Sequence, residues 1–340
     1  MSSPWASSTL RLLAIALLAG TAGPFRLAAD PPDRTSASKQ SLELRAEIER
    51  RAVGSKSTGG PFSDIPTDRL IEKLHIVQKS IYGEDGRQEI AQAPSGARTN
   101  ARAVAAVIPA ANLTRTEGGW QLASRTPTFG ARQNLCGREH FREQPSAADC
   151  TAFLTRPDIV LTAGHCVTDD GLASSRFVFG FELGRLDRPF PLGNVYSGIR
   201  VLGRRLEGAG EDWAVVQLDR PVGELEPLGY DPGSDVAPSA EVYAIGCPSG
   251  LPLKYAGVAK VRDADPARPY FVADLDTFGG NSGSPVFSAS ANKVVGILVR
   301  GAGDFVKKES GCYESLLCSS STCQGEQVMR LARIPADLWR

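Results

Sequence analysis

Residues 150–166 read Cys150-Thr-Ala-Phe-Leu-Thr-Arg-Pro-Asp-Ile-Val-Leu-Thr-Ala-Gly-His165-Cys166. Within this stretch Ile159 to Ala163 is short, apolar and largely β-branched, with Pro-Asp before it and Gly after it. It reads as a strand that delivers a histidine at its end. The same texture repeats outward at Arg176 to Leu183, Trp213 to Leu218, Glu241 to Ile245, Tyr270 to Leu275 and Lys293 to Val299. Each is rich in Val, Ile, Phe or Tyr and bounded by Gly, Pro, Asp or Ser. No long helical period interrupts them, which argues against a parallel βαβ sheet and for antiparallel barrels or a sandwich. The 35 Gly and 23 Pro supply the turns such an architecture needs.

Two more segments carry chemistry. Glu211-Asp212-Trp213-Ala214-Val215-Val216-Gln217-Leu218 sets a carboxylate at the start of an apolar strand, and Gly279-Gly280-Asn281-Ser282-Gly283-Ser284-Pro285-Val286 sets a glycine-flanked serine between two strands. With Thr162-Ala163-Gly164-His165-Cys166 they resemble the chymotrypsin-like serine proteases, and more closely the bacterial branch that includes the glutamyl endopeptidases. The chain order His, Asp, Ser differs from the orders used by subtilisin-like and α/β-hydrolase enzymes. A G-x-S-x-G elbow also fails here, because Ser284 stands where the second glycine belongs.

The resemblance covers about Ile81 to the C-terminus. It implies an all-β fold of two six-stranded antiparallel β-barrels with the site in the cleft between them. The first barrel would span 81–230 and carry His165 and Asp212; the second would span 231–340 and carry Ser282. Residues 223–238, rich in Gly and Pro, read as the linker. The chemistry matches the residue types. A serine hydroxyl needs a base to take its proton, which is the part His165 would play, with Asp212 orienting the imidazole. The backbone N–H groups of Gly280 and Ser282 would form the oxyanion hole. Glu211, adjacent to Asp212, is the other candidate orienter. Ser284 reads as a turn residue, and His75 and His140 as histidines without a catalytic part.

Departures from the family pattern bear on specificity and activation. Asn281 stands where the vertebrate enzymes have the Asp that pairs with a newly made N-terminal amine. Leu298 stands where the glutamyl-specific members have a histidine, so glutamate specificity is not implied. Asp276, six residues before Ser282, occupies the place that forms the base of the primary pocket in trypsin-like relatives. With Thr277, Val299, Arg300 and Gly301 as walls it implies a preference for Arg or Lys, unless Asp276 instead pairs internally with Arg300. Phe278 replaces the cysteine that usually braces this wall.

The N-terminal region differs from the rest. Arg11 precedes the apolar run Leu12 to Gly20, too short to span a bilayer, and residues 1–29 read as a secretory signal peptide. Residues 30–80 are charged, with helical readings at Lys39 to Arg51 and at Asp68 to Lys79, where Leu70, Leu74 and Val77 share a face. This reads as a propeptide, or as a plain extension. Ile81-Tyr82-Gly83-Glu84-Asp85-Gly86-Arg87 resembles the mature start of bacterial relatives, so maturation is expected just before Ile81.

Seven cysteines lie beyond the signal, and in a secreted or periplasmic setting they imply disulfides. The resemblance places one bridge between Cys150 and Cys166. Cys312, Cys318 and Cys323 would pair among themselves or with Cys136 and Cys247, leaving one thiol over. With 38 basic and 38 acidic residues there is no net field to attract nucleic acid or an anionic membrane. Only 3 His argue against a multi-histidine metal centre, and no metal or other cofactor is expected. The resemblance implies polypeptide substrates and a monomeric, secreted endopeptidase. The alternative is a catalytically inactive secreted binding protein on the same scaffold.

Overall fold

The computed structural model describes residues 81–340 except 168, 208, 209, 232–235, 302 and 319–322, and before residue 81 only Glu47, Arg51, Pro66 and Leu70. The expected signal and nearly all of the 30–80 segment lie outside the described residues. Glu47, Arg51 and Leu70 are helical, and Arg51 Nε donates to Glu47 Oε1 at 2.7 Å. Among the described residues no helix is long and apolar enough to cross a membrane.

The strands in chain order are β1 (Ile81–Tyr82), β2 (Arg87–Glu89), β3 (Val104–Pro109), β4 (Leu113–Thr116), β5 (Gly119–Leu122), β6 (Cys150–Arg156), β7 (Ile159–Thr162), β8 (Ser175–Phe179), β9 (Val195–Tyr196) and β10 (Gly198–Leu206). They continue with β11 (Asp212–Leu218), β12 (Glu241–Gly246), β13 (Lys254–Asp263), β14 (Tyr270–Ala273), β15 (Pro285–Ser288), β16 (Val294–Arg300), β17 (Phe305–Lys307), β18 (Tyr313–Ser315), β19 (Leu317–Cys318) and β20 (Glu326–Arg330). Helices are short, the longest among the described residues being α1 (Ser95–Ala101).

One antiparallel sheet runs β10-β11-β7-β6-β3-β8-β9, and a second runs β12-β15-β16-β20-β14-β13 and closes on itself through β12–β13 pairing. The second is a closed six-strand barrel around Val242, Ala244, Val261, Phe271, Val286, Leu298 and Val328. The first is a curled half-barrel, so the expected pair of closed barrels is realised in one of its members. Its β9 edge is a two-residue strand, which offers too few amides to close a ladder against β10.

Pairing also ignores chain order at both ends. β1 adds parallel to β19, and β2 adds antiparallel to β13, so residues 81–89 lie on the closed barrel's side. At the other end Trp339, fully buried, packs its ring on Tyr230, and Leu338 abuts Gly203 of β10. The apolar core of the half-barrel continues into Tyr243, Ile245, Phe287 and Ile297 of the closed barrel, so the two share one interior.

Candidate active site

His165 sits in a single tight turn, Gly164–Cys166, that follows β7 directly. Gly164 is needed there, because a Cβ would overlap the carbonyl of Arg205 and come within 3.0 Å of Trp213 N. Asp212 opens β11, the antiparallel neighbour of β7 with Ala214 opposite Thr162, so one strand begins where the other ends. Two residues 47 apart in sequence are therefore side by side. His165 Nδ1 lies 2.9 Å from Asp212 Oδ2, and the His165 backbone N–H donates to Oδ1 at 3.1 Å. An ionised carboxylate only accepts, which keeps the ring proton on Nδ1 and leaves Nε2 as the basic nitrogen. Glu211 faces away, accepting from Trp213 Nε1 at 3.0 Å, so of the two adjacent carboxylates only Asp212 meets the histidine.

Asp212 is completely buried and also has a cationic neighbour. Arg300, 3% exposed at the end of β16, donates from Nη2 to Asp212 Oδ2 at 3.4 Å and from Nη1 to the carbonyl of Gly210 at 3.3 Å. The sequence offers Arg300 as a pocket wall or as a partner for Asp276. Its guanidinium instead crosses to the half-barrel, where the buried carboxylate is the stronger attraction.

Ser282, 3% exposed, sits in a loop whose amides are mostly committed. Gly279 N donates to Asp304 Oδ2 at 2.9 Å, Asn281 N to the Phe278 carbonyl at 3.0 Å, Gly283 N to the Leu298 carbonyl at 2.8 Å, and Ser284 N to the Asn281 carbonyl at 2.9 Å. Gly280 and Gly283 take φ of +91° and +88°, which favours glycine. A Cβ on Gly283 would overlap Thr151 O and Thr162 Oγ1 and lie 3.1 Å from Ala163 N. Thr151 in turn donates from N to the Ser282 carbonyl at 2.8 Å and from Oγ1 to the Gly280 carbonyl at 2.9 Å. The serine loop thus rests on the β6–β7 pair that delivers His165, and Cys166 Sγ is 3.6 Å from the Ser282 carbonyl. Ser284, fully buried, bonds Asn281 and takes no position on the loop's surface.

Around the expected pocket the structure redistributes the parts. Asp276 does not stand as a pocket floor, since its Oδ1 accepts from Tyr82 N at 2.7 Å and its Oδ2 from Gly86 N at 2.8 Å. Burial pushes its carboxyl up to about 6, against the lowering effect of those two amides. Ile81, fully buried, packs with Phe129, Leu135, Leu251 and Phe278, and its N–H donates to the Leu316 carbonyl at 3.1 Å. Phe278 also carries the Arg87 guanidinium over its ring at 4.1 Å. Val299 is buried in the core. Thr277 and Gly301 both meet Glu326, a fully buried carboxylate that sequence reasoning misses: Thr277 Oγ1 donates to Oε2 at 3.0 Å. A glutamate following a glycine at a strand start gives no signal by itself in the sequence.

Three disulfides are present among the described residues, Cys136–Cys312, Cys150–Cys166 and Cys318–Cys323. Cys150–Cys166 clasps β6 to the histidine turn, and closing a loop of about 15 residues is worth roughly 3 kcal/mol in the chain-entropy account. Cys247 is the free thiol, wholly buried, and burial pushes it up to about 12. The sulfurs of Cys150 and Cys166 lie close to a nitrogen of His165, but bridged sulfurs are not thiolates and offer no metal site. His140 is exposed, with Nδ1 3.3 Å from Asp85 Oδ2.

A family model described as a trypsin-like peptidase domain matches residues 150–297, a span that holds His165, Asp212 and Ser282. Residues 150–297 are thus similar to trypsin-like peptidase domains. The domain resembles the glutamyl endopeptidase of Bacillus licheniformis, 27% identical over 155 residues, covering 44% of this chain and 48% of that protein. It also resembles a protein of Bacillus subtilis named extracellular metalloprotease, 28% identical over 174 residues, covering 48% of this chain and 54% of that one. The chain thus spans about half the length of the curated relatives it matches. Among solved structures, a Glu endopeptidase in complex with MPD aligns with 74% of this chain and 94% of its own at 15% identity and a TM-score of 0.43. The VesB protease of Vibrio cholerae aligns with 73% of this chain and 64% of its own at 14% identity and a TM-score of 0.46.

Proposed function

We propose that this protein is an exported serine endopeptidase that cleaves polypeptides through His165, Asp212 and Ser282. The observation that carries the reading is the bond of His165 Nδ1 to buried Asp212 beside a glycine-turned serine loop seated on the strands that hold the histidine. Ser282 Oγ attacks the scissile carbonyl while His165 Nε2 takes its proton. The tetrahedral oxyanion is bound by the N–H groups of Gly280 and Ser282, which flank Asn281 in the serine loop. Proton return from His165 expels the amine, and water, activated by the same histidine, releases the acyl group from Ser282.

Export rests on the signal-like run of residues 12–20 and on three disulfides. Removal of residues 30–80 is part of the same reading, with Ile81 as the mature start. Asn281 carries no charge, so an ion pair between the new amine and the residue before Ser282 is not the activating step. A preference for Arg or Lys needs a carboxylate other than Asp276, which the N-terminal segment already holds.

The test is fluorophosphonate labelling and casein digestion by the secreted protein beside Ser282→Ala. Wild type is expected to label at Ser282 and digest casein, and the variant to do neither. A folded wild type that does not label would leave the binding-protein reading in its place.

A further inference from the structure

Resting on the endopeptidase reading, with Gly280 and Ser282 as its oxyanion donors, we infer that Thr151 is a positioning residue of the oxyanion hole. Its hydroxyl reaches across from the half-barrel and fixes the peptide planes on both sides of Gly280. Thr151 Oγ1 donates to the Gly280 carbonyl at 2.9 Å and accepts from Cys247 N at 3.0 Å. A carbonyl only accepts and an amide N–H only donates, so the direction of both bonds is settled. Thr151 is fully buried, where such a chain of bonds is stronger than in water.

The strand register explains why Thr151 is available. β7 ends at Thr162, opposite Ala152 of β6, and the chain then turns into Gly164–Cys166. One residue back on β6, Thr151 has no ladder partner on that side. Its N–H donates instead to the Ser282 carbonyl at 2.8 Å, and its own carbonyl accepts from Thr162 Oγ1 at 2.7 Å. A single residue of the half-barrel thus holds two carbonyls of the serine loop, Gly280 by its side chain and Ser282 by its backbone.

Peptide planarity converts these carbonyl contacts into amide directions, because across a trans peptide the C=O and the N–H point opposite ways. With the Gly280 carbonyl on Thr151, Asn281 N turns inward to the Phe278 carbonyl at 3.0 Å. The plane joining Gly279 to Gly280 is held from the other side: the Gly279 carbonyl accepts from Ser249 N, which directs the Gly280 N–H away from the 247–250 turn. Glycine at both ends gives that plane little steric resistance to rotation, so hydrogen bonds must set it. Ser249 reaches it from a left-handed φ of +51°, a conformation that a non-glycine residue keeps only where its surroundings impose it. Two residues earlier, Cys247 N is anchored on the Thr151 hydroxyl. The turn packs so closely that a Cβ on Gly280 would overlap the Cys247 carbonyl and stand 2.8 Å from Gly250 N. One hydroxyl therefore grips the plane after Gly280 directly and the plane before it through the turn. Without it, the Gly280 carbonyl and Cys247 N lose a buried partner, and the oxyanion donor between them loses its aim. The oxyanion exists only once the serine has attacked, so the loss falls on kcat and not on substrate binding.

The experiment compares wild type with Thr151→Val, which keeps the side chain's shape and removes the hydroxyl, and with Thr151→Ser, which keeps the hydroxyl and removes the methyl. Each secreted protein is assayed on the peptidyl p-nitroanilide that wild type cleaves best among those ending in Arg, Lys, Leu and Glu. The trifluoromethyl ketone of the same peptide, whose hemiketal carries an oxyanion, serves as inhibitor, and end-point fluorophosphonate labelling counts assembled sites. Thr151→Val is expected to lower kcat per site about 100-fold with KM within about threefold, and to weaken the ketone by about 100-fold. Thr151→Ser is expected to recover both to within about threefold of wild type. A valine variant that keeps kcat and ketone affinity within about threefold overturns the proposal, and so does a loss confined to KM. A serine variant that loses as much as the valine variant overturns it too, since packing of the methyl is then the cause. Thr151→Ala repeats the measurement where valine does not fold; if neither folds, the hydroxyl is a general prop of the seam and the proposal falls. Wild type that neither labels nor cleaves is the separate failure of the endopeptidase reading.

Discussion

The half-barrel and the closed barrel hold their shares of the site in different ways. His165 and Asp212 belong to neighbouring strands, β7 and β11, of the open sheet, and the ladder between those strands positions both. Ser282 lies on a loop between β14 and β15 of the closed barrel, and its position comes from glycine conformations and from contacts with the other half. Closure is therefore not what makes a precise site. The open sheet places its pair by register, while the closed barrel relies on the seam, through Gly283 against Thr151 and Thr162 and through Arg300 against Asp212.

The comparison is broken most severely from the half-barrel side. Asp212→Asn keeps the strand register but replaces an acceptor-only carboxylate, so the imidazole loses the tautomer that the proposed base role needs. We expect kcat to fall about 10,000-fold with far-UV circular dichroism unchanged. A loss below about tenfold would show that Asp212 does not orient His165.

The seam itself is tested by Gly283→Ala. The added methyl has no space against Thr151 and Thr162, and φ of +88° is unfavourable for alanine. The expected cost is about 3 kcal/mol or more in thermal unfolding, accompanied by loss of activity. Alanine at Gly137, where no atom lies within 4 Å of an added Cβ, serves as the control and should change stability by about 0.5 kcal/mol or less.

What can be read in the sequence follows the same division. The strands at Ile159–Thr162, Asp212–Leu218, Glu241–Gly246, Tyr270–Ala273 and Val294–Arg300 stand out because they are largely apolar on both faces and end in turn formers. The two longest strands, β10 and β13, escape such a reading, since Arg200, Arg204, Arg205, Lys260 and Arg262 break their apolar runs. β3, central in the half-barrel, is short on strong β formers beyond Val104, Val107 and Ile108, and its alanines carry little β preference of their own. The expected strand from Arg176 to Leu183 stops at Phe179, where Gly180 turns with φ of +75°. Site residues are legible where a local motif marks them. Glu326, and the hold of Asp276 on Tyr82 and Gly86, depend on chain segments about 50 and 190 residues apart, and no local pattern records them.

Arg300 sharpens the comparison at a smaller scale, because it is the closed barrel's side chain on the half-barrel's carboxylate. Arg300→Met removes two hydrogen bonds, to Asp212 and to the Gly210 carbonyl, while keeping much of the aliphatic volume. A charged hydrogen bond of this kind is worth roughly 1.5–3 kcal/mol, so kcat should drop at least about tenfold with KM nearly unchanged. A raised KM with constant kcat would instead place Arg300 in substrate binding.

The smallest effect lies on the closed barrel's flank, where Asp276 holds the start of β1 and the turn before β2. Burial raises its carboxyl to about 6 in the folded protein, against about 3.9 in an unfolded chain. The folded state therefore binds more protons between those values, and stability must fall as pH rises through that window. The contribution is complete below about pH 4 and gone above about pH 6. The full shift corresponds to about 3 kcal/mol, which partial solvent access reduces to about 1–2 kcal/mol. Asp276→Asn cannot titrate, so the melting temperature of wild type relative to the variant should rise by a few degrees between about pH 7 and pH 4.5. Subtracting the variant removes every other titrating group common to both. A difference that stays flat across that range would mean that Asp276 ionises in the fold as it does in water, and that its two amide partners offset its burial.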